Sequence, residues 1–401
     1  MIPKLEDYSD IIDDSIIGKI REEAAPLSEK HVEHVNSTFE GGGVAEILNT
    51  LALLMNDVGI RTGWRLFKGH QRFFNITKSF HNGLQGGTLE LTDEIKNEYL
   101  QNNEFNSLLM HISFCDCIVI HDPQPLPLIS FYKKKQPWIW RCHIDLTNPH
   151  KELWEYVKQF ILKYDTMVVS MDKYIKKDIN IPQKIIQPSI DPLSTKNKPI
   201  SKEEAFKNLE KYGVENKKPI VSQISRFDPW KDPLGVIDAY KLIKKQHDCQ
   251  LVLMANMASD DPEGPKIYEQ VLEKVKDVED IHLIVNAEEN DIMVNSLQRA
   301  STVVIQKSIR EGFGLTVAEA LWKGTPVVGG NVGGIPSQVI DGKTGYLINN
   351  TQECADRVLK ILKNEKLREE LGKNAKEHVR KNFLITRHLM DYIRLLKSVI
   401  L

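Results

Sequence analysis

Short apolar runs return along the first half of the chain at intervals of about one helix. HVEHVNS (31–37), RTGWRLF (61–67), CDCIVI (115–120), PWIWRC (137–142) and TMVVS (166–170) read as strands. Between the first two, VAEILNTLALLMNDVG has the apolar spacing of a helix that ends at Gly59. A further helical region over roughly 5–23 precedes them all. Strands that alternate with helices predict a parallel sheet. From residue 219 a second series follows: PIVSQIS, CQLVLMA, IHLIVN, TVVIQ, TPVVGG and GYLIN. The stretch between the two series, 188–219, is rich in Pro, Ser, Asn and Lys and reads as an interdomain connection. The remainder, from about 352 to 401, is helical and charged on one face.

Length fits this picture, because 401 residues exceed one comfortable core and suit two α/β domains. The predicted fold class is therefore α/β, with two Rossmann-like domains over 1–195 and 196–384 and a last helix, about 385–401, that can pack back on the first. Lys+Arg 53 against Asp+Glu 55 leaves a net charge of -2, with no basic block to track a phosphate backbone, so nucleic acid is not an expected partner. No apolar run approaches the ~20 residues that span a bilayer, so a membrane is not expected either and a cytoplasmic location is. Five cysteines are an odd count, and Cys115 and Cys117 alternate as small buried hydrophobes would, which predicts reduced thiols. The sequons at Asn36, Asn75 and Asn349 then have no chemical meaning.

Residues with chemical potential cluster just after strand ends. Gly41, Gly42 and Gly43 follow the first strand, His121, Asp122 and Gln124 follow CIVI, and His143 and Asp145 follow WIWRC. In the second half Arg226 and Lys231 follow PIVSQIS, and Glu311 follows TVVIQ. Ligands bind outside the carboxyl ends of parallel strands, so two such rows predict one interdomain cleft. The glycines have G-x-G spacing, but Glu46 stands where a dinucleotide fingerprint needs a third small residue, and no acidic residue ends the second strand. A loop that lets a ligand lie on bare backbone fits better.

SIREGFGLTVAEALWKG (308–324) carries the most information. Glu311 falls in a loop over a strand end, Glu319 on the second turn of the helix that follows, and the N–H groups of Gly314, Leu315 and Thr316 point at whatever lies between. Unpaired helix donors favour a phosphate, and the two carboxylates favour sugar hydroxyls. Taken alone, Glu311 could merely cap the helix and Glu319 could be a solvated surface residue. Arg226 and Lys231, five residues apart in SRFDPWKDP, add the cations of a diphosphate clamp. The chain contains no Asp-x-Asp, so cations and helix dipole are expected to do a metal's work: no metal site and no required cofactor.

These residues resemble the retaining glycosyltransferases of GT-B type known as family 4. EGFGLTVAE is similar to that family's Glu-x7-Glu element, SRFDPWKD to its phosphate-binding pair and GGIPSQVIDGKTGYLI to its segment after the next strand. The likeness spans essentially the whole chain. Within the family the chain looks most like the archaeal trehalose glycosyltransferring synthases, through HVNSTFEGGGVAEIL, HDPQPLPLISFYKKKQPWIWRCHIDL and PSIDPLSTKN. One departure is Ser337, where many relatives have Glu, which touches a peripheral contact only.

The resemblance implies a GT-B fold and transfer of glucose, with retention, from a nucleoside-diphosphate glucose to free glucose to give trehalose. It implies that Glu311 holds donor hydroxyls, Glu319 the ribose, Arg226 and Lys231 the diphosphate, and that the Gly41–Gly43 loop closes over phosphate and sugar. His143 matches the family histidine near the reacting sugar. His121, Asp122, Gln124 and Asp145 are the candidates for acceptor glucose. Reversibility, the donor base and homodimerisation stay open. Rival readings on the same scaffold are a retaining trehalose phosphorylase, a nucleotide-sugar 2-epimerase and a non-catalytic sensor.

Overall fold

Six strands in the first half form one parallel sheet, and the inner ones are buried along nearly all of their length. They are β1 (His31–Asn36), β2 (Arg61–Leu66), β3 (Cys117–His121), β4 (Trp138–Arg141), β5 (Thr166–Val169) and β6 (Gln183–Ile185), in the order β2-β1-β3-β4-β5-β6. Burial on both faces explains why CIVI and TMVV are continuous apolar runs, while the polar RTGWRL lies at an edge. Val35, Ile118, Ile120, Trp138 and Trp140 join Phe73, Phe80 and Tyr99 in the core of this unit. The structure, a computed structural model, describes residues 2–39, 42–256 and 264–401.

The second half builds another six-stranded parallel sheet from β7 (Ile220–Ile224), β8 (Gln250–Ala255), β9 (Ile281–Val285), β10 (Val303–Gln306), β11 (Val327–Gly330) and β12 (Gly345–Ile348). Its order is β12-β11-β10-β7-β8-β9. Both orders contain a point where successive connections leave in opposite directions. In the first sheet it lies between β1 and β3, in the second between β7 and β10. The loops diverge there and leave a crevice at the carboxyl ends of the two central strands, which is where open α/β sheets bind ligands.

The chain divides into Met1–Ser189 with Ile385–Leu401, and Ile190–Leu384. The first crossing thus comes earlier than residue 195. Ile190 is the reason: its N–H donates to Phe383 O at 2.8 Å and it bridges to Leu384, tying it into the second unit. The helix Ile385–Ile400 belongs with the first unit, where Lys397 Nζ meets Glu23 Oε2 at 2.8 Å and Arg387 donates to Gln187 O.

Three local expectations need correction. The stretch 188–219 is not all connection: Ser201 Oγ accepts from Glu204 N and starts the helix Lys202–Glu210, whose Leu209 enters a core with Ile220, Met254 and Leu297. The helical region over 5–23 is two pieces, the turn Leu5–Tyr8 and the helix Asp14–Ala24, because Asp13 caps Ser15 N and restarts it. Cys115 lies before β3, not in it; all five cysteines are buried and free. Among the described residues no helix is long and apolar enough to cross a membrane.

Candidate active site

In the second unit, the loop after β7 and the loop after β10 meet at the switch point. Asp228 shapes the first: its carboxylate accepts from Trp230 N at 2.8 Å and closes the turn Pro229–Lys231. Asp232 then takes a left-handed conformation (φ 50°) and caps the next helix through Gly235 N. This carries Lys231 inward, with its Nζ 2.6 Å from Oε2 of Glu311 and only 19% of the side chain exposed. Oε2 also accepts from Ser308 Oγ at 3.0 Å and Gln306 Nε2 at 3.3 Å. Arg226, on the same loop, has a side chain 46% exposed, with Nη2 3.8 Å from Asp228 Oδ2.

The Glu311 loop is held from behind by glycines. A Cβ on Gly333 (φ 54°) would lie 1.5 Å from Glu311 O, and one on Gly334 would lie 2.7 Å from Phe313 Cα. Gln338 Nε2 donates to Phe313 O at 2.6 Å. GGIPSQ is therefore a backing for EGF, and Ser337, whose Oγ donates to Gly334 O, turns onto its own turn. Gly314 (φ 84°) then lets the chain enter the helix Leu315–Trp322. Gly314, Leu315 and Thr316 are part-exposed, whereas the helix beyond them is buried. Their N–H groups have no helical carbonyl to bond.

Glu319 is 4% exposed, which removes the reading of it as a solvated surface residue. Gln298 Nε2 lies 3.4 Å from its Oε2, and Lys196 Nζ lies 4.0 Å from Oε1. Below it, Lys323 Nζ donates to Asn197 Oδ1 at 2.7 Å, and burial pushes the pKa of this ammonium down to about 7. Among the described residues no group of three or more His, Cys, Asp or Glu could hold a metal ion.

In the first unit β1, the strand that precedes the glycines, pairs with β3 at the switch point. Gly42 needs its identity for conformation, with φ 117° and no atom of the described residues within 4 Å of an added Cβ, and Gly43 opens the helix Gly43–Asp57. Gly41 lies outside the described residues. Asp122 follows β3 in a left-handed conformation (φ 61°), and its Oδ1 accepts from His143 N at 2.8 Å. Burial raises the pKa of the Asp122 carboxyl to about 6. Gln124 is part-exposed, and its Oε1 has no hydrogen-bond partner among the described residues. Asp145 Oδ1 closes a local turn on Thr147 N.

His121 is a correction. It is 1% exposed, and both of its ring nitrogens are engaged, Nε2 with His34 at 2.9 Å and Nδ1 with His143 at 3.0 Å. With both nitrogens taken by other histidines, its ring has no polar atom left for an acceptor sugar. The sequence alone does not single out His34, Gln306, Ser308 or Gln338. A signal does exist for His34: a polar residue facing inward from a buried strand must find a partner.

The family described as "Trehalose synthase, N-terminal domain" matches residues 34–176, and "Glycosyl transferases group 1" matches 204–378. A trehalose synthase of Thermococcus litoralis is 48% identical, covering 98% of this chain and 97% of that protein. The chain belongs to the trehalose synthase family. A second member, from Rubrobacter xylanophilus, is 42% identical over 99% of this chain and 97% of its own. As a member of this family the protein is a glycosyltransferase. Its fold is GT-B: the solved sucrose-phosphate synthase of Thermosynechococcus elongatus superposes with a TM-score of 0.73 at 16% identity, covering 92% of this chain and 99% of that one.

Proposed function

We propose that the protein moves glucose, with retention, from a nucleoside-diphosphate glucose to free glucose and so forms trehalose. The observation that carries this reading is the cluster of Lys231, Glu311 and the open start of the helix Leu315–Trp322 at the switch point of one sheet. An ammonium has three N–H donors. One meets Glu311, and the others remain for the oxygens of a diphosphate. Arg226, exposed on the same loop, adds a second charge, and the N–H groups of Gly314, Leu315 and Thr316 add the helix dipole.

The reaction needs a leaving group drawn away while positive charge grows on the sugar. Arg226, Lys231 and the helix start supply that pull without a metal. Glu311, kept inward by Lys231, Ser308 and Gln306, binds donor hydroxyls, and Glu319 binds the ribose. The loop that carries Gly41, Gly42 and Gly43, a run without side chains, serves phosphate and sugar. In the first unit His143 faces the reacting sugar, while Asp122, Gln124 and Asp145 receive the acceptor. A retaining hydrolase would set two carboxyls about 5 Å apart with one as nucleophile. Here the acceptor attacks on the face that the diphosphate leaves, and the departing phosphate takes its proton.

The test is incubation with UDP-, ADP- or GDP-glucose and free glucose, with the product identified by its linkage. Trehalose supports the reading. Release of glucose 1-phosphate from trehalose and inorganic phosphate, with no transfer from any nucleotide sugar, would replace it by a phosphorylase.

A further inference from the structure

Three histidines from three neighbouring strands form a hydrogen-bonded file that ends in the site. His34 sits inside β1, His121 ends β3 and His143 follows β4. His34 Nδ1 is 2.9 Å from His121 Nε2, and His121 Nδ1 is 3.0 Å from His143 Nε2, with rings inclined by 28° and 18°. His34 is fully buried and His143 only partly. Nδ1 of His143 is thus the ring nitrogen of the file left to meet a bound molecule.

Each N···N contact needs one donor and one acceptor, so the file has two protonation patterns, one in each direction. The inner end decides between them. Nε2 of His34 is buried with no hydrogen-bond partner among the described residues. A buried N–H without an acceptor is rarer in proteins than a buried acceptor without a donor. The bare lone pair therefore belongs on Nε2 of His34, and the protons lie on Nδ1 of all three rings.

We propose, resting on the functional reading above, that His34 and His121 are positioning residues that fix His143 as the Nδ1–H tautomer, so that it meets substrate as a neutral hydrogen-bond donor and not as a base. The surroundings oppose a second charge. Arg141, fully buried beside the file, donates to Ser170 Oγ and Ile186 O. From the C-terminal helix, Tyr392 packs 5.8 Å from His34, and His388 faces the same interior with Nδ1 against Gln187 O. Burial first, then the Arg141 charge, hold His143 well below the ordinary histidine range, and burial takes the pKa of His34 to about 3. A neutral donor suits a reaction whose proton leaves with the phosphate, because a base at this position would compete for it.

An isolated imidazole in water prefers Nε2–H, so the tautomer itself reports the file. Two-bond 1H–15N spectra of 15N-histidine protein, with His143 assigned by substitution, are expected to give a protonated Nδ1 and bare Nε2, unchanged over about pH 6–8. In His34→Phe the signal should move toward the opposite tautomer and kcat should fall roughly tenfold, with donor KM little changed. His34→Asn, whose amide N–H stands where Nδ1–H stood, should recover both. Nε2–H at His143 in the unaltered protein, or full activity in His34→Phe, overturns the proposal. If no nucleotide sugar is a donor, the functional reading fails, yet the spectrum still reads the tautomer.

Discussion

Lys231 and Glu311 are 80 residues apart in sequence and 2.6 Å apart in space, and each depends on the other's loop for its position. The lysine arrives on a turn made by Asp228, the glutamate on a loop backed by Gly333 and Gly334. Lys231→Met is expected to lower kcat/KM for transfer by roughly 10²–10³-fold, as loss of a donor that stabilises transition-state charge does. Steady-state kinetics with the donor varied, beside a circular dichroism spectrum showing the fold intact, checks it.

The same pair separates structure from function. Lys231→Met alone leaves the buried Glu311 carboxylate without its ammonium, although Ser308 and Gln306 still donate to it, a cost of about 1–3 kcal/mol. Adding Glu311→Gln removes that charge. The double variant should regain part of the lost stability in urea unfolding while transfer stays at least as low as in Lys231→Met. Recovery of transfer in the double variant would mean that the pair serves stability alone.

Gly333→Ala acts through the backbone. Its Cβ has no room beside Glu311 O, and φ 54° is strained for alanine, so the Glu311 loop must shift. Donor KM should rise and kcat should fall together. Gly42→Ala, which meets no atom of the described residues, should cost about 1–3 kcal/mol of local strain without moving Glu311. Isothermal titration with the nucleoside diphosphate alone distinguishes the two.

Lys323 gives a pH dependence whose sign is fixed. The pKa of its ammonium is pushed down to about 7 by burial, with Arg299 and Lys196 adding to the effect and Glu319 opposing it. Between about pH 7 and the ordinary lysine range the unfolded chain binds the extra proton, so this group makes stability rise with pH there. Below 7 folded and unfolded chains are both protonated, and the folded one bears the whole cost of the buried charge. Lys323→Met should therefore raise the melting temperature more near pH 6 than near pH 10. An equal effect at both would contradict a depressed lysine.

If Arg226, Lys231 and the helix start provide the charge that the diphosphate needs, chelation should not matter. Dialysis against EDTA is expected to leave initial rates of transfer unchanged. A loss restored by added divalent cation would assign part of that charge to a metal.

The inner strands were legible because a parallel sheet buried on both faces demands apolar runs such as CIVI and TMVV. QKI of β6 was not, since a three-residue edge strand needs no apolar side chains. The helix Lys202–Glu210 hid in a polar stretch although Ser201 signals its start, because its packing rests mainly on Ala205 and Leu209. In the site, EGFGLTVAE could be read locally, for glycines and carboxylates declare their conformation and charge. The file of His34, His121 and His143 could not, because hydrogen bonds that span 87 and 22 residues are set by strand order, which no local pattern encodes.

On this reading the second unit carries the donor's diphosphate on the loops after β7 and β10. A crystal structure with bound nucleoside-diphosphate glucose tests it most directly. Phosphate oxygens are expected within hydrogen-bond reach of Lys231 Nζ, the Arg226 guanidinium and the N–H groups of Gly314 to Thr316, with the glucose against Glu311. Diphosphate density away from these groups would contradict it.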